Sequence, residues 1–393
     1  MWPRAWQVAC SADHVARPGD FFEYTVGRLS VVVVRGQDGE LRAFQNACLH
    51  RGNELCSGTG GGLTELRCPF HRWSWTLDGQ LREVPSRKGF GVIRSADYEL
   101  PAVQVDTWGR LVWINLDPDA GALVDYLDEM PAEVAWADLD DFRCTALLTT
   151  EMQCNWKTLI DGFSETYHVQ GIHPEMLPMV DDVNSPQVIW DHVGRLQQPY
   201  GIPSPRLRNP STQLQWDAFV AVMGGRLGLS DPADAGEPPE VPDGSTMRDV
   251  LAARIRRHSA EAKGVALDRF TTDQLLTLLQ YNVFPNVTIL VFGDLLQVVK
   301  SRPGTAPDRC FMDIVAFERA EPGAPDSQPA TVSLAKGDVD LGLVLNQDVD
   351  NIEKAQRGLY QPGFTHLSLS GEECRIANLH RNLDRYIDAH GST

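Results

Sequence analysis

Two cysteines and two histidines near the start of the chain are placed to do redox chemistry. Cys48-Leu49-His50 is followed, after seventeen residues, by Cys68-Pro69-Phe70-His71. Each pair is short enough to lie in one loop, and the two loops together offer two thiolates and two imidazoles. A [2Fe–2S] cluster with two Cys on one iron and two His on the other takes that ligand set. Neutral imidazoles in place of anionic thiolates make the reduced cluster less disfavoured and raise its potential. A Cys2His2 zinc site is the other reading. Zinc fingers, however, usually pair Cys with Cys and His with His.

A second group of candidates begins at Asn155, a good N-cap residue for a helix. Trp156, Leu159, Ile160, Phe163 and Tyr167 recur at helical spacing and form an apolar face. Asp161, Glu165 and His168 lie at i, i+4 and i+7 on a different stripe, which on an arbitrary helix would be a solvated polar face. His173 comes five residues after His168, so one continuous helix cannot put both rings on one side. Gly171 and Pro174 offer a break, and a bent chain can bring the two imidazoles to one metal. With a carboxylate from elsewhere this becomes a 2-His-1-carboxylate site, which leaves positions on Fe(II) open for oxygen.

The elements that must hold these groups are legible in outline. Leu29–Val34 and Leu41–Phe44 read as strands around a Gly36-to-Gly39 turn. Trp73–Val84 reads as a hairpin turning at Asp78-Gly79. Val103–Asn115 reads as one more strand, and Asp117–Gly121 as a boundary. Phe142–Cys154 alternates like a strand that leads into a helix. Gly228–Ser245 is a polar, Pro- and Gly-rich surface loop. Met247–Lys263 and Thr271–Gln280 read as helices, Val287–Val299 and Cys310–Glu318 as strands. Asn346–Arg357 and Glu373–Ala389 read as helices near the C-terminus.

The flanks of these motifs carry a family resemblance. Cys48-Leu-His50-Arg51-Gly52 and Cys68-Pro69-Phe70-His71-Arg72-Trp73 resemble the two cluster loops of Rieske-type ring-hydroxylating oxygenases. So do Asn155-Trp156-Lys157, Glu165-Thr-Tyr167-His168, His173-Pro174 and the stretch from Asn346 to Gly358. One departure is Arg72, where the family usually has a Gly that relaxes the turn.

The resemblance implies an α+β architecture. A small all-β Rieske domain, residues 1–117 with an N-terminal extension, would precede a larger catalytic domain of residues 118–393. The second domain would have a helix-grip, START-like fold with a curved antiparallel sheet. It implies a [2Fe–2S] cluster on Cys48, His50, Cys68 and His71, and a mononuclear Fe(II) on His168, His173 and Asp348. Asp350 is the second choice for the carboxylate and Glu353 the third acid on the stretch, and Leu345, Val349, Ile352 and Ala355 are expected to bury the helix with Asp348 at its edge. Glu165 would link the centres, accepting from His168 and reaching His71 of a neighbouring subunit. The family more often has Asp at this position. Asp161 and Asn155 complete the expected catalytic set, and Leu290 and Phe292 are candidates for the substrate wall.

The resemblance further implies oxygenation of a hydrophobic, aromatic small molecule, with N- or O-demethylation as the alternative. A homotrimer with head-to-tail contacts is implied as well. Electrons must come from a separate reductase, with or without a ferredoxin, because no Gly-x-Gly-x-x-Gly fingerprint follows a strand. A Rieske electron carrier with a vestigial second site is the competing class. The intact His168, His173 and Asp348 set speaks against it.

Composition narrows the rest. The 393 residues include 35 Lys and Arg against 53 Asp and Glu, a net charge of −18. That argues against nucleic acid or an anionic membrane as partner. Arg42 to Arg94 is the exception, with eight basic against four acidic residues, and could steer an acidic redox partner. The longest aliphatic run, Val31–Val34, is far too short to span a bilayer. Met1-Trp-Pro-Arg lacks the apolar stretch of a signal peptide, and eight scattered cysteines do not read as a disulfide framework. A cytoplasmic protein is expected.

Overall fold

The computed structural model describes residues 1–229, 231–338 and 340–388. Ala389, the last residue of the expected C-terminal helix, and Ser230 in the polar loop lie outside the described residues. Among those described, a seven-stranded sheet has the spatial order Gln7–Ser11, Leu111–Asn115, Ala102–Trp108, Leu41–Gln45, Leu29–Arg35, Phe21–Val26, Thr59–Gly60. A small sheet of Leu66–Arg67, Ser74–Trp75 and Leu81–Glu83 leans on it. The Asp78-Gly79 turn forms as the sequence implies, with Gly79 at φ 87°.

An eight-stranded sheet builds the rest of the molecule. Its order is Gln187–Ile189, Val193–Pro199, Thr277–Val283, Val287–Val291, Leu295–Pro303, Cys310–Arg319, Phe142–Met152, Ala330–Leu334. All neighbours are antiparallel except the last pair, where Ala146 to Thr150 run parallel to Ala330 to Leu334. The helices Trp156–Gly162, Leu343–Leu359 and Cys374–Asp388 carry or flank the candidate ligands.

Four expected elements differ. Val103–Asn115 is a hairpin, Ala102–Trp108 with Leu111–Asn115, because Gly109 at φ 56° takes the left-handed turn between them. Val287–Val299 is also a hairpin, closed where the Phe292 N–H donates to the Leu295 carbonyl at 2.8 Å. Thr271–Gln280 starts as a helix with a Thr271/Gln274 capping box. It stops at Leu276, and Thr277–Val283 becomes a central strand paired on both sides. Short apolar runs are ambiguous in period, and here the two ladders outweigh local helix propensity. The helix expected to continue to His168 ends at Gly162. The Ser164 hydroxyl there donates to the Ile160 carbonyl at 2.7 Å, competing with the next helical turn.

The two sheets share one continuous core, from Trp6, Val8 and Trp113 through Phe142 to Leu159, Ile160 and Ile352. Their junction is also polar. Lys300, 1% exposed, donates to the carbonyls of Val8 (3.3 Å) and Ala9 (3.1 Å). Arg302 donates to the Thr25 carbonyl at 2.9 Å, and Asp313 sits 2.6 Å from Arg302 and 3.4 Å from Lys300.

Candidate metal centres

The first centre lies at the tips of two matching turns. The Gly52 N–H donates to the Cys48 carbonyl at 2.8 Å, and the Arg72 N–H to the Cys68 carbonyl at 3.0 Å. Gly52 and Arg72 are therefore positional counterparts, four residues after each cysteine, and both are left-handed, with φ 79° and 64°. Arg72 keeps the turn that a Gly would make without strain, at a cost of about 1 kcal/mol.

Cys48 and Cys68 are buried beneath the small sheet, while the rings of His50 and His71 lie nearer the surface with centroids 4.7 Å apart. Trp73 stacks on His50 at 5.2 Å. His50 Nδ1 is buried with no hydrogen-bond partner, which suits an atom meant for a metal. The four donors, two Cys and two His, are the set a two-iron cluster takes. Among the described residues the group of three whose ligand atoms meet within 4.8 Å is a different one.

That other group is His168, His173 and Asp348. His173 Nε2 is 2.9 Å and His168 Nε2 3.8 Å from Asp348 Oδ1. The two imidazole centroids are 5.2 Å apart at 79°. Burial disfavours charge on His173, yet Asp348 raises its pKa overall, so the site favours positive charge between them. Donor set and electrostatics both fit a divalent cation such as Fe(II).

The break after Gly162 makes this possible. Asp161, Glu165 and His168 do not share a helical stripe. Glu165 instead folds back on His168, the residue that opens the short Val169–Ile172 helix, Oε2 accepting from the His168 N–H at 3.0 Å. Its Oε1 lies 2.5 Å from His168 Nδ1, which leaves Nε2 toward Asp348. Gly171 sits inside that short helix rather than ending it, and Pro174 opens the next turn.

Asp348 is held from across the site. Ile352 lies so near Gly162 that a Cβ there would come within 3.0 Å of its Cδ1. Gln356 Oε1 accepts from the Asn155 N–H (2.7 Å) and the Thr158 hydroxyl (3.1 Å). Glu353 accepts from the Gln153 N–H at 3.0 Å. The buried face of this helix is therefore Asp348, Val349, Ile352, Glu353 and Gln356. Leu345 is half-buried, Ala355 is exposed, and Asp348 lies within the stripe rather than at its edge. Asp350 faces solvent and pairs with Lys336 at 3.0 Å, away from both histidines.

Asn155 caps the Trp156–Gly162 helix, accepting from the Lys157 N–H at 3.0 Å. Asp161 accepts from His380 Nε2 at 3.0 Å, and burial pushes its carboxyl pKa up. Leu290 is half-buried on its strand; Phe292 packs edge-on to Tyr200 under the Arg226 guanidinium. Neither lines the cavity of about 520 Å³ beside the triad, which is bounded by Asp161, Glu165, His168, Asp348, Leu359 and Tyr360 among others. Sequence reasoning missed Gln356, His380 and Gln347, and it weighed Glu353 only as a metal carboxylate, not as the acceptor for the Gln153 N–H. The i, i+4, i+8 spacing of Asp348, Ile352 and Gln356 was the available signal for one of them.

Residues 5–103 match the family model of the Rieske [2Fe-2S] domain, and residues 136–389 that of the ring hydroxylating alpha subunit (catalytic domain). The chain is 32% identical over 190 residues to the glycine betaine monooxygenase oxygenase subunit of Pseudomonas aeruginosa, covering 48% of this chain and 44% of that one. It is 32% identical over 176 residues to the carnitine monooxygenase oxygenase subunit of Escherichia coli, covering 44% and 47%. Biphenyl 2,3-dioxygenase subunit alpha of Rhodococcus jostii is 30% identical over 174 residues, covering 43% and 38%. The match thus spans less than half the length of these curated relatives.

In fold, the chain is similar to a quaternary ammonium Rieske monooxygenase crystallised with L-carnitine: TM-score 0.67, 19% identity, 98% of this chain and 90% of that one. Naphthalene 1,2-dioxygenase from Rhodococcus sp. gives TM-score 0.64 and 19% identity, over 98% and 89%. With a paired Cys/His loop site, a His-His-Asp triad and both family models matched, the chain belongs to the Rieske-type ring-hydroxylating oxygenase alpha subunits, a family that carries a [2Fe–2S] cluster and a mononuclear iron.

Proposed function

We propose that this chain is the oxygenase component of a Rieske non-heme iron oxygenase. Residues 1–117 would form the cluster unit and residues 118–393 the catalytic unit. Cys48 and Cys68 would hold one cluster iron, and His50 and His71 the other. His168, His173 and Asp348 would hold the mononuclear Fe(II), which supplies binding and activation of O2. The overall balance is RH + O2 + 2 e⁻ + 2 H⁺ → ROH + H2O, with electrons from a separate reductase, directly or through a ferredoxin. The observation that carries this reading is the convergence of His168, His173 and Asp348 within 4.8 Å in a chain that also bears the Cys/His loops.

Glu165 orients His168 and, in this reading, links it to His71 of a second copy in a head-to-tail trimer. Charge complementarity supports that contact. The cavity beside Glu165 is lined by four carboxylates, Asp161, Glu165, Asp348 and Glu373, against one Lys157, with apolar Leu359 and Leu367. The cluster loops offer a 58%-exposed Phe70 beneath Arg51, with Arg72 beside them. Cys48 and Cys68 aside, this reading leaves the other six cysteines as unlinked thiols, and we place the chain in the cytoplasm. Among the described residues no helix is long and apolar enough to cross a membrane.

For the substrate we favour a small methylated amine, oxidised at a carbon next to nitrogen, because two of the relatives named above act on glycine betaine and carnitine. Ring hydroxylation is the second reading, supported by the biphenyl dioxygenase relative. Product analysis with a surrogate reductase separates them. Aldehyde release from methylated amines fits the first, diols or phenols from aromatics the second, and no product from either class would sink the oxygenase reading. In single turnover with pre-reduced protein, Glu165→Gln should keep both metals but stall cluster reoxidation. Near-normal product would reduce Glu165 to a residue that only orients His168.

A further inference from the structure

The two histidines of the mononuclear site have different groups behind them. Glu165, a carboxylate, accepts from His168. Behind His173 is an amide: Gln347 Oε1 lies 2.6 Å from His173 Nδ1. The amide nitrogen of Gln347 donates in turn to Glu175 Oε1. Gln347 immediately precedes Asp348 on the Leu343–Leu359 helix, and Glu175 lies two residues beyond His173.

This chain of contacts leaves one consistent arrangement of protons. The NH2 of Gln347 donates to Glu175 Oε1, which leaves the amide oxygen toward His173. That oxygen only accepts, so His173 Nδ1 carries the proton. Nε2 is then the ligand atom, 2.9 Å from Asp348 Oδ1. We infer that Gln347 is a positioning residue, itself set by Glu175, that fixes the metal-binding tautomer of His173 and makes it a weaker donor than His168. The inference rests on the proposed role of His173 as an iron ligand.

The physical basis is that an acceptor on the remote imidazole nitrogen raises the basicity of the ligating one, and an anion does so more than an amide. His168 is thus the electron-rich ligand and His173 the poorer one. The asymmetry places the stronger donor on the side of Glu165.

The test uses the full chain with its cluster intact and measures Fe(II) affinity by chelator competition, together with the potentials of both centres. Gln347→Leu should weaken Fe(II) binding about 10- to 100-fold, with the cluster spectrum unchanged. Glu175→Gln, at a half-buried site that tolerates the change, should weaken it less, since the amide is no longer held. The double exchange Gln347→Glu with Glu175→Gln keeps the hydrogen-bond chain but makes the acceptor anionic. It should restore affinity and lower the mononuclear potential while leaving the cluster potential in place. Wild-type affinity in Gln347→Leu, or an unshifted mononuclear potential in the double exchange, overturns the inference. A wild-type chain that carries its cluster but binds no Fe(II) overturns the proposed function instead.

Discussion

The Cys/His loops and the His168–His173–Asp348 triad gather their candidate ligands at opposite ranges in the chain. All four cluster donors fall between Cys48 and His71, on turns closed by their own backbone hydrogen bonds. The triad takes two donors from a broken helix and the third from Asp348, 175 positions after His173. A local site is robust because few elements can misplace it. A distant one depends on every contact that seats the second helix: Gly162 against Ile352, and Gln356 and Glu353 on the backbone around Asn155. A short-range site can be rigid by itself, while the triad is only as precise as the packing between two helices.

If that contrast is right, each centre can be destroyed alone. Cys48→Ala or His71→Ala should erase the visible absorption of the cluster and abolish turnover. A full iron–sulfur spectrum in either variant would refute the ligand assignment. Next in size, Asp348→Ala should lose mononuclear iron and turnover while the cluster spectrum stays intact, and Asp350→Ala should keep both. Metal analysis showing iron retained in the first and lost in the second would move the ligand to Asp350.

The junction that ties the two regions together is the third place to probe. Arg302 and Lys300 more than offset the burial of Asp313 and pull its carboxyl pKa down from 3.8 to about 2. A depressed folded-state pKa means stability that is fully present above about pH 4 and lost as pH falls toward about 2. The size is about 2 kcal/mol. Asp313→Asn should cost about 3–5 kcal/mol at neutral pH, because Lys300 and Arg302 would stay buried without their counter-charge. It should also flatten the acid limb of a denaturation series; an unchanged acid limb would argue against the assignment. The smallest effect is expected at Arg72. Replacing it with Gly relieves the left-handed strain and should stabilise the cluster region by less than about 1 kcal/mol, a small rise in thermal midpoint. A loss of stability there would mean that the Arg72 side chain contributes more than its backbone costs.

The sequence by itself determined the pairing of the Cys/His loops, the two candidate histidines and the outline of the first sheet, because each is a short-range pattern. Paired Cys/His spacing, a Gly between two apolar runs and an Asp-Gly turn all act within a few residues. It could equally have given the Phe21–Val26 strand, whose alternate residues Phe22, Tyr24 and Val26 are buried. What it did not determine were features set by partners far along the chain. Thr277–Val283 is a strand because ladders form on both sides, not because its own residues demand it. Ala355 is exposed and Gln356 buried, against the simple apolar pattern, because backbone N–H groups two hundred residues earlier need an acceptor. Asp348 rather than Asp350 faces the histidines for the same reason: the phase of its helix is fixed by what Ile352, Glu353 and Gln356 touch. Periodicity places side chains on a face of an element; only packing between elements decides which face meets the metal.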